Sequence, residues 1–357
     1  MIYDSSLDAI ERKVLDGERI TCEEALRVYR ALPLTELGGL ADAVRRRKHP
    51  EPIVTYIIDR NINYTNICNV YCTFCAFMRE EDDPDAYVLS PEQVGAKVQE
   101  LVDIGGVQIL LQGGHHPKLG IDYYLNLLQY LRARFPQVNI HGFSPPEFTH
   151  FAEVFRMPVE EVLRRFKEAG LGSIPGGGGE ILVESVRKRI APLKCSGQQW
   201  LRVMEIAHGM GLRSSATMMF GHVETIEDRV EHLRLLRELQ DRTGGFTAFI
   251  CWTFQNENTR LRVPSVGAHE YLRVQALARI FLDNFDNVQS SWVTQGPQIG
   301  QIALRYGAND FGSVMMEENV VSQAGTTYRL DEPTICRLIR DLGYEPRRRN
   351  NWYQLLN

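Results

Sequence analysis

The sequence predicts an α/β fold: a TIM-type (β/α)8 barrel preceded by a helical extension. Two observations lead there. From Tyr56 onward, apolar runs of strand length alternate with segments of helical period, and eight such units follow one another. The residues best suited to chemistry then fall just after the ends of those strands, where a barrel of this kind gathers its function. An open doubly wound sheet is the alternative, because alternation alone does not show closure. No linker or low-complexity segment interrupts the series. The expected organisation is a helical extension over residues 1–50 and a barrel with a closing helix and tail over residues 51–357.

The extension reads as helices across residues 4–48. Leu7, Ile10, Val14 and Leu15 recur at helical spacing, and Thr21 followed by Glu24 forms a capping-box pattern ahead of Ala25, Leu26 and Tyr29. A third helix is expected over residues 35–47. After the first strand, Ser90-Pro91-Glu92-Gln93 is a strong helix start, with a capping residue, Pro at the first helical position and Gln at the third. Val94, Val98, Leu101 and Val102 line one face, Gly105 stops the helix, and residues 107–112 form a buried strand. Asp122 opens the next helix, with Tyr124, Leu127, Leu128 and Leu131 inward, and later helices are expected at 159–169, 196–208, 225–241, 268–285, 297–306 and 333–341. The strands they alternate with fall at 139–143, 171–174, 214–219, 247–252, 288–293 and 308–311.

Composition narrows the class. The chain has 357 residues, 44% hydrophobic and 24% charged, which suits one large barrel. A net charge of −5 favours neither nucleic acid nor an anionic membrane as partner. The first twenty residues are acidic and amphipathic, unlike a secretory signal, and no apolar run reaches the length of a membrane span. With seven cysteines and no disulfide-type scaffold, these features point to a reducing, cytoplasmic setting.

Three of the cysteines, Cys68, Cys72 and Cys75, stand in the stretch ICNVYCTFCA with C-x3-C-x2-C spacing. Three thiolates suffice for three irons of a [4Fe-4S] cube and leave the fourth iron open, whereas electron carriers generally use four cysteines. A structural zinc site wants four ligands, and only His49 lies within 35 residues of the triplet. Cys22, Cys195, Cys251 and Cys336 are isolated and read as small buried residues.

Each later strand end carries a distinct loop. Gln112-Gly113-Gly114-His115-His116 follows the second strand, and its glycines permit close approach of backbone to a ligand or a simple tight turn. Phe143-Ser144-Pro145-Pro146-Glu147 follows the third, a stiffened loop in which Glu147 either meets a ligand or caps a helix. Four glycines and Glu180 follow the fourth. No Lys-Ser/Thr pair succeeds them, so a P-loop is excluded, and Glu180 is expected to open a helix. Met219, Phe220 and His222 follow the fifth, where His222 suits either proton transfer or bracing of the loop before Thr225. Gln255 and Asn258 follow the sixth strand, and Ser291 and Trp292 the seventh. These amides, hydroxyls and aromatics suit a polar, stackable substrate.

The cysteine triplet resembles the motif of the radical S-adenosylmethionine (SAM) superfamily, from about residue 55 to the end. The set LQGGHHP, HGFSPPE, SIPGGGGEIL, MMFGHVET, WTFQNENT, SSWVTQG and GANDFGSVMMEENV is similar to the cyclic dehypoxanthinyl futalosine synthases of menaquinone biosynthesis. Aminofutalosine synthases and the tyrosine-using half of the deazaflavin (FO) synthases share part of this set and remain alternatives, as does an iron–sulfur carrier without turnover. The sequence departs from the family at Gly179, where an Ala is usual, and over RRRNNWY near its end.

The resemblance implies that Cys68, Cys72 and Cys75 bind a [4Fe-4S] cluster. It implies further that Phe74, Gln112, Gly113, Gly114, Ser144 and Glu180 hold SAM. His116, Met219, Gln255, Asn258, Ser291 and Trp292 would meet the substrate, with His222 and then Glu147 as candidates for proton transfer. The implied substrate is dehypoxanthine futalosine, cyclised after hydrogen abstraction at C4′ of its ribose and radical addition to its benzoate ring. The implied electron donor is a flavodoxin or ferredoxin.

Overall fold

The computed structural model describes residues 5–356, so the ends of the expected extension and tail lie outside the described residues. Three helices come first, Ser5–Asp16, Cys22–Ala31 and Leu34–Lys48. The Thr21–Glu24 capping box forms as the sequence predicts. These helices lie against the outside of the barrel. Arg273 in the helix Ala268–Phe281 donates to the carbonyl of Leu32, and Arg19 reaches both Asp241 and Asp283.

The strands are β1 (Ile53–Ile57), β2 (Asp59–Asn63), β3 (Gln108–Gln112), β4 (Asn139–Gly142), β5 (Ser173–Ile174), β6 (Arg213–Phe220), β7 (Phe246–Thr253), β8 (Asn287–Gln289), β9 (Asp310–Ser313) and β10 (Glu345–Arg348). All pair in parallel, in the order β10-β1-β9-β8-β7-β6-β5-β4-β3-β2. The order has two ends, yet β1 and β2 are one stretch broken only at Ile58. Its lower half pairs with β9 and β10, and its upper half with β3. The sheet therefore curls round on itself as a partial TIM-type barrel, which is why the strands are apolar on their outer face and polar or small within.

Three helices go beyond the sequence reading, one of them Trp292–Gln295, which replaces the end of the strand expected at 288–293, since that strand stops at Gln289. Pro145–Phe155 forms where a stiffened loop is expected, and Glu184–Ile190 forms after the glycine run. Expected and observed helix ends otherwise differ by a few residues, the usual uncertainty of frayed termini. Behind β2, β3 and β4 lies an aromatic cluster: Tyr64, Tyr124, Phe143, Phe151 and Phe166 pack with ring centroids 4.5 to 5.9 Å apart. It fixes the wall from which the next loops spring. Among the described residues no helix is long and apolar enough to cross a membrane.

Candidate active site

One cavity of about 450 Å³ occupies the barrel interior and opens at the C-terminal ends of the strands. Cys68, Cys72, Phe74, Cys75, Gln112, Gly113, Gly114, Ser144, Glu147, Glu180, Met219, Gln255, Ser291 and Trp292 all line it. His116, His222 and Asn258 do not.

The cysteine loop leaves β2 and is held by main-chain bonds, Cys68 N–H to the carbonyl of Arg79 (3.1 Å) and Thr73 N–H to that of Ile190 (2.8 Å). All three thiols are free. Burial pushes Cys72 up to about 12 and raises Cys68. Among the described residues no three His, Cys, Asp or Glu side chains converge tightly enough to grip one ion. A cube takes each thiolate at a separate corner, whereas zinc needs its ligands at one shared point. Three free cysteines on one loop lining one cavity fit an iron–sulfur cluster.

The second loop is bound to the first. A Cβ at Gly114 would stand 2.2 Å from the carbonyl oxygen of Ile67, so glycine is required for contact with the cysteine loop. Likewise a Cβ at Gly177 would meet the Gln112 side chain at 2.2 Å. These glycines serve close approach of protein to protein, bringing three loops around one space.

Glu147 joins them. It lies in the first turn of the helix Pro145–Phe155, 1% exposed. Its Oε2 accepts from Ser144 N–H (2.7 Å) and Oγ–H (2.7 Å), and its Oε1 from Tyr64 O–H (2.8 Å) and Gly113 N–H (3.0 Å). Burial raises its carboxyl, while those donors pull it back. With both oxygens engaged, Glu147 braces the loop of Gly113 rather than presenting a free base.

Glu180 differs from the sequence reading. It opens no helix: it sits at φ +34°, and the next helix starts at Glu184. Its carboxylate accepts from Lys194 Nζ at 2.9 Å and lies 3.7 Å from Arg187. Arg187 also donates to the carbonyls of Gly178 (3.2 Å) and Gly179 (2.9 Å) and so shapes the glycine run. Lys194 stands 5.4 Å over the ring of Phe74. Neither Lys194 nor Arg187 was legible as a site residue, because their partners lie many residues away.

His222 is turned from the cavity with its side chain fully covered. Its Nε2 donates to the carbonyl of Met219 (3.1 Å), and its Nδ1 stands 3.0 Å from Glu224. Arg229 reaches the same carboxylate at 2.8 Å. Burial opposes ionisation of Glu224, but His222, Arg229 and the Gly221 N–H outweigh it and hold the carboxyl down to about 2. A lowered folded pKa means stability that is present above the ordinary value of 4.5 and lost as pH falls toward 2. This is the bracing geometry, not that of a proton donor to a substrate. His116 accepts from Lys118 N–H, and Asn258 donates to the carbonyl of Gln323 at 2.8 Å, tying two mouth loops together. Of the residues expected to meet a substrate, Gln255 donates to Thr253, Ser291 Oγ meets Thr294, and Trp292 Nε1 donates to the carbonyl of Ser313 at 3.1 Å.

Comparison with known proteins agrees with this geometry. The model of the radical SAM superfamily matches residues 62–236, and that of the CofH/MqnC C-terminal region matches residues 243–357. The chain is 46% identical to a cyclic dehypoxanthine futalosine synthase of Halalkalibacterium halodurans, over 98% of this chain and 95% of that one. It is 47% identical to a protein of the same name from Streptomyces coelicolor, over 100% of this chain and 90% of that one. An aminodeoxyfutalosine synthase of Thermus thermophilus is 39% identical, over 99% and 96%. Two solved structures share the fold at low identity. Methylornithine synthase has a TM-score of 0.74 at 18% identity, covering 94% of this chain and 97% of that one. The hydrogenase maturase HydG of Carboxydothermus hydrogenoformans has a TM-score of 0.76 at 16% identity, covering 98% and 80%.

Proposed function

Because the chain belongs to the radical SAM superfamily, in the family of cyclic dehypoxanthine futalosine synthases, we propose that it cyclises dehypoxanthine futalosine in the futalosine route to menaquinone. The observation that carries this reading is the single cavity that joins the cysteine loop, the glycine loops and Met219, Gln255, Ser291 and Trp292. The margin of 46–47% over 39% identity favours it above aminodeoxyfutalosine synthesis.

Cys68, Cys72 and Cys75 would hold the [4Fe-4S] cluster, and Phe74, Gln112, Gly113, Gly114, Ser144 and Glu180 would hold SAM. When bound, these two groups supply the 5′-deoxyadenosyl radical that takes hydrogen from C4′ of the substrate. The chain's part is to position and to exclude water. Met219 and Trp292 wall the space, while Gln255 and Ser291 offer polar contacts. Val320, Val321 and Ala324 cover the mouth, and the Asn258 bond to Gln323 holds that cover to the loop after β7. His222 and Glu147 act by bracing loops. A flavodoxin- or ferredoxin-type donor supplies the electron, in the cytoplasm, and the segment of residues 1–50 is an extension outside the catalytic barrel.

The test is an anaerobic assay of reconstituted protein with SAM, reductant and substrate deuterated at C4′. The label should pass to 5′-deoxyadenosine, and the product, having lost that deuterium and one ring hydrogen, should be lighter than the unlabelled substrate by the mass of dihydrogen. Product formation without label transfer would exclude abstraction at C4′. In the same assay His222→Gln should keep the native ratio of cyclised product to 5′-deoxyadenosine. Its thermal midpoint should fall, by about 1–2 kcal/mol of stability for the buried bonds lost. A variant that cleaves SAM normally but releases uncyclised product would give His222 a role on the substrate.

A further inference from the structure

The floor of the cavity is built by a segment that no strand-end reading reaches. After β10 the chain turns inward, and Arg349, Asn351 and Tyr353 line the cavity. Arg349 N–H donates to the carbonyl of Tyr56, in the lower half of the first stretch. The cysteine loop follows Asn63, at the other end of that stretch. At about 3.3 Å per residue the two ends lie roughly 20 Å apart. The floor is thus the pole of the cavity opposite the cysteines.

Its hydrogen-bonding capacity is lopsided. The two carboxylates are taken: Asp310 receives Thr55 Oγ1–H (2.5 Å), Gly312 N–H (2.9 Å) and two N–H groups of Arg349 (2.5 and 2.9 Å). Asp59 receives Ser313 Oγ–H and Gln108 Nε2–H. Donors are left over. Asn351 is 6% exposed, and its Nδ2 is buried with no partner. Arg349 uses three of its five N–H groups, two on Asp310 and one on the carbonyl of Asn350. A buried donor without a partner costs on the order of 1–3 kcal/mol, so the arrangement calls for an acceptor from outside.

Charge points the same way. Arg349 and Lys194 are the only lysine or arginine side chains among the described residues lining the cavity. Lys194 is committed to Glu180 on the cysteine side. His141 also lines it, but burial holds its imidazole down at about 3, so it is neutral. On the wall, Asn61 is 6% exposed with its Oδ1 unpartnered, ready to accept from a hydroxyl.

We propose that Asn351 and Arg349 form an arenecarboxylate subsite at the cavity floor. The proposal rests on the function proposed above, whose substrate carries a benzoate. A carboxylate accepts only, which matches the unpartnered Asn351 Nδ2 and the two spare N–H groups of Arg349. Tyr353, 3.9 Å from the Arg349 guanidinium, adds an aromatic face beside it. Because Asp310 already shares the charge of Arg349, the carboxylate is held by directed bonds more than by net charge. The ring is thereby seated at the pole away from the cysteines, and the sugar extends toward them.

The test uses benzoate and benzamide as probes, bound to the reconstituted holoenzyme and followed by ligand-observed NMR titration. The native protein should bind benzoate roughly ten- to hundredfold tighter than benzamide. Asn351→Leu should bring the two toward parity while SAM affinity stays native. Equal affinity of the native protein for both probes, or an undiminished preference in a folded Asn351→Leu, overturns the proposal. Should Asn351→Leu not fold, Asn351→Ser and the native comparison decide. The function proposed above fails separately, on absence of cyclised product from dehypoxanthine futalosine, whatever benzoate does.

Discussion

Cys72→Ala is expected to yield a folded protein that assembles no [4Fe-4S] cluster and forms 5′-deoxyadenosine only at background level. Cys72 is buried at 7% exposed but lines the cavity, and the change to Ala removes a single atom, so the barrel should stand. Its chemistry has no substitute nearby. Cys195 does not line the cavity, and Cys22, Cys251 and Cys336 belong to the surrounding helices and strands. Without iron, burial keeps the Cys72 thiol protonated up to about 12, so metal binding is what draws the proton off. Two remaining thiolates cannot fix a cube at three corners. Iron analysis, electron paramagnetic resonance and deoxyadenosine formation measure the outcome. A variant with native iron content and native SAM cleavage would show that the triplet is not the ligand set.

What the sequence made legible is what chemistry makes local. Capping boxes at Thr21–Glu24, Ser90–Gln93 and Thr225–Asp228 depend on residues three apart, and all three form. Three cysteines within eight residues carry their own reading. Strand ends followed by glycine, serine and amide residues placed most of the cavity lining. The helix Pro145–Phe155 was legible too, since Ser144-Pro145-Pro146-Glu147 has the same cap and proline signature as Ser90-Pro91-Glu92-Gln93. The paired prolines drew attention to loop stiffness instead. Lys194 and Arg187 become site residues only because the chain between them and Glu180 folds back. The floor formed by residues 349–353 depends on β10 pairing with β1, nearly 300 positions earlier, and no local pattern announces that. The four-glycine run shows the opposite case. Its composition was plain, yet its purpose is packing against Gln112, Pro146 and Ser215, a relation only the fold supplies.

Glu147→Gln should separate bracing from chemistry. In the native chain four donors converge on the carboxylate, from Ser144, Tyr64 and Gly113. An amide offers one acceptor and turns an N–H pair toward groups that themselves donate, so at least one buried donor loses its partner. Each such loss costs about 1–3 kcal/mol, a sizeable part of a typical folding stability. Glu147→Ala strands Tyr64 and Gly113 together and is the harsher variant. The consequence reaches the ligand through Gly113, whose N–H is fixed by Glu147 while its neighbour Gly114 is pressed against the cysteine loop. SAM affinity should therefore fall about tenfold or more in Glu147→Gln, and deoxyadenosine formation should fall with it at subsaturating SAM. The ratio of cyclised product to deoxyadenosine should not change, because the brace acts before hydrogen is taken. A base acting on the substrate predicts the reverse, with native SAM affinity, native SAM cleavage and a loss confined to cyclised product. Equilibrium binding of SAM and the product ratio, measured on one preparation, distinguish the two. If the ratio collapses while SAM binds as tightly as before, Glu147 belongs to the chemistry, and its four bonds must open when substrate is bound.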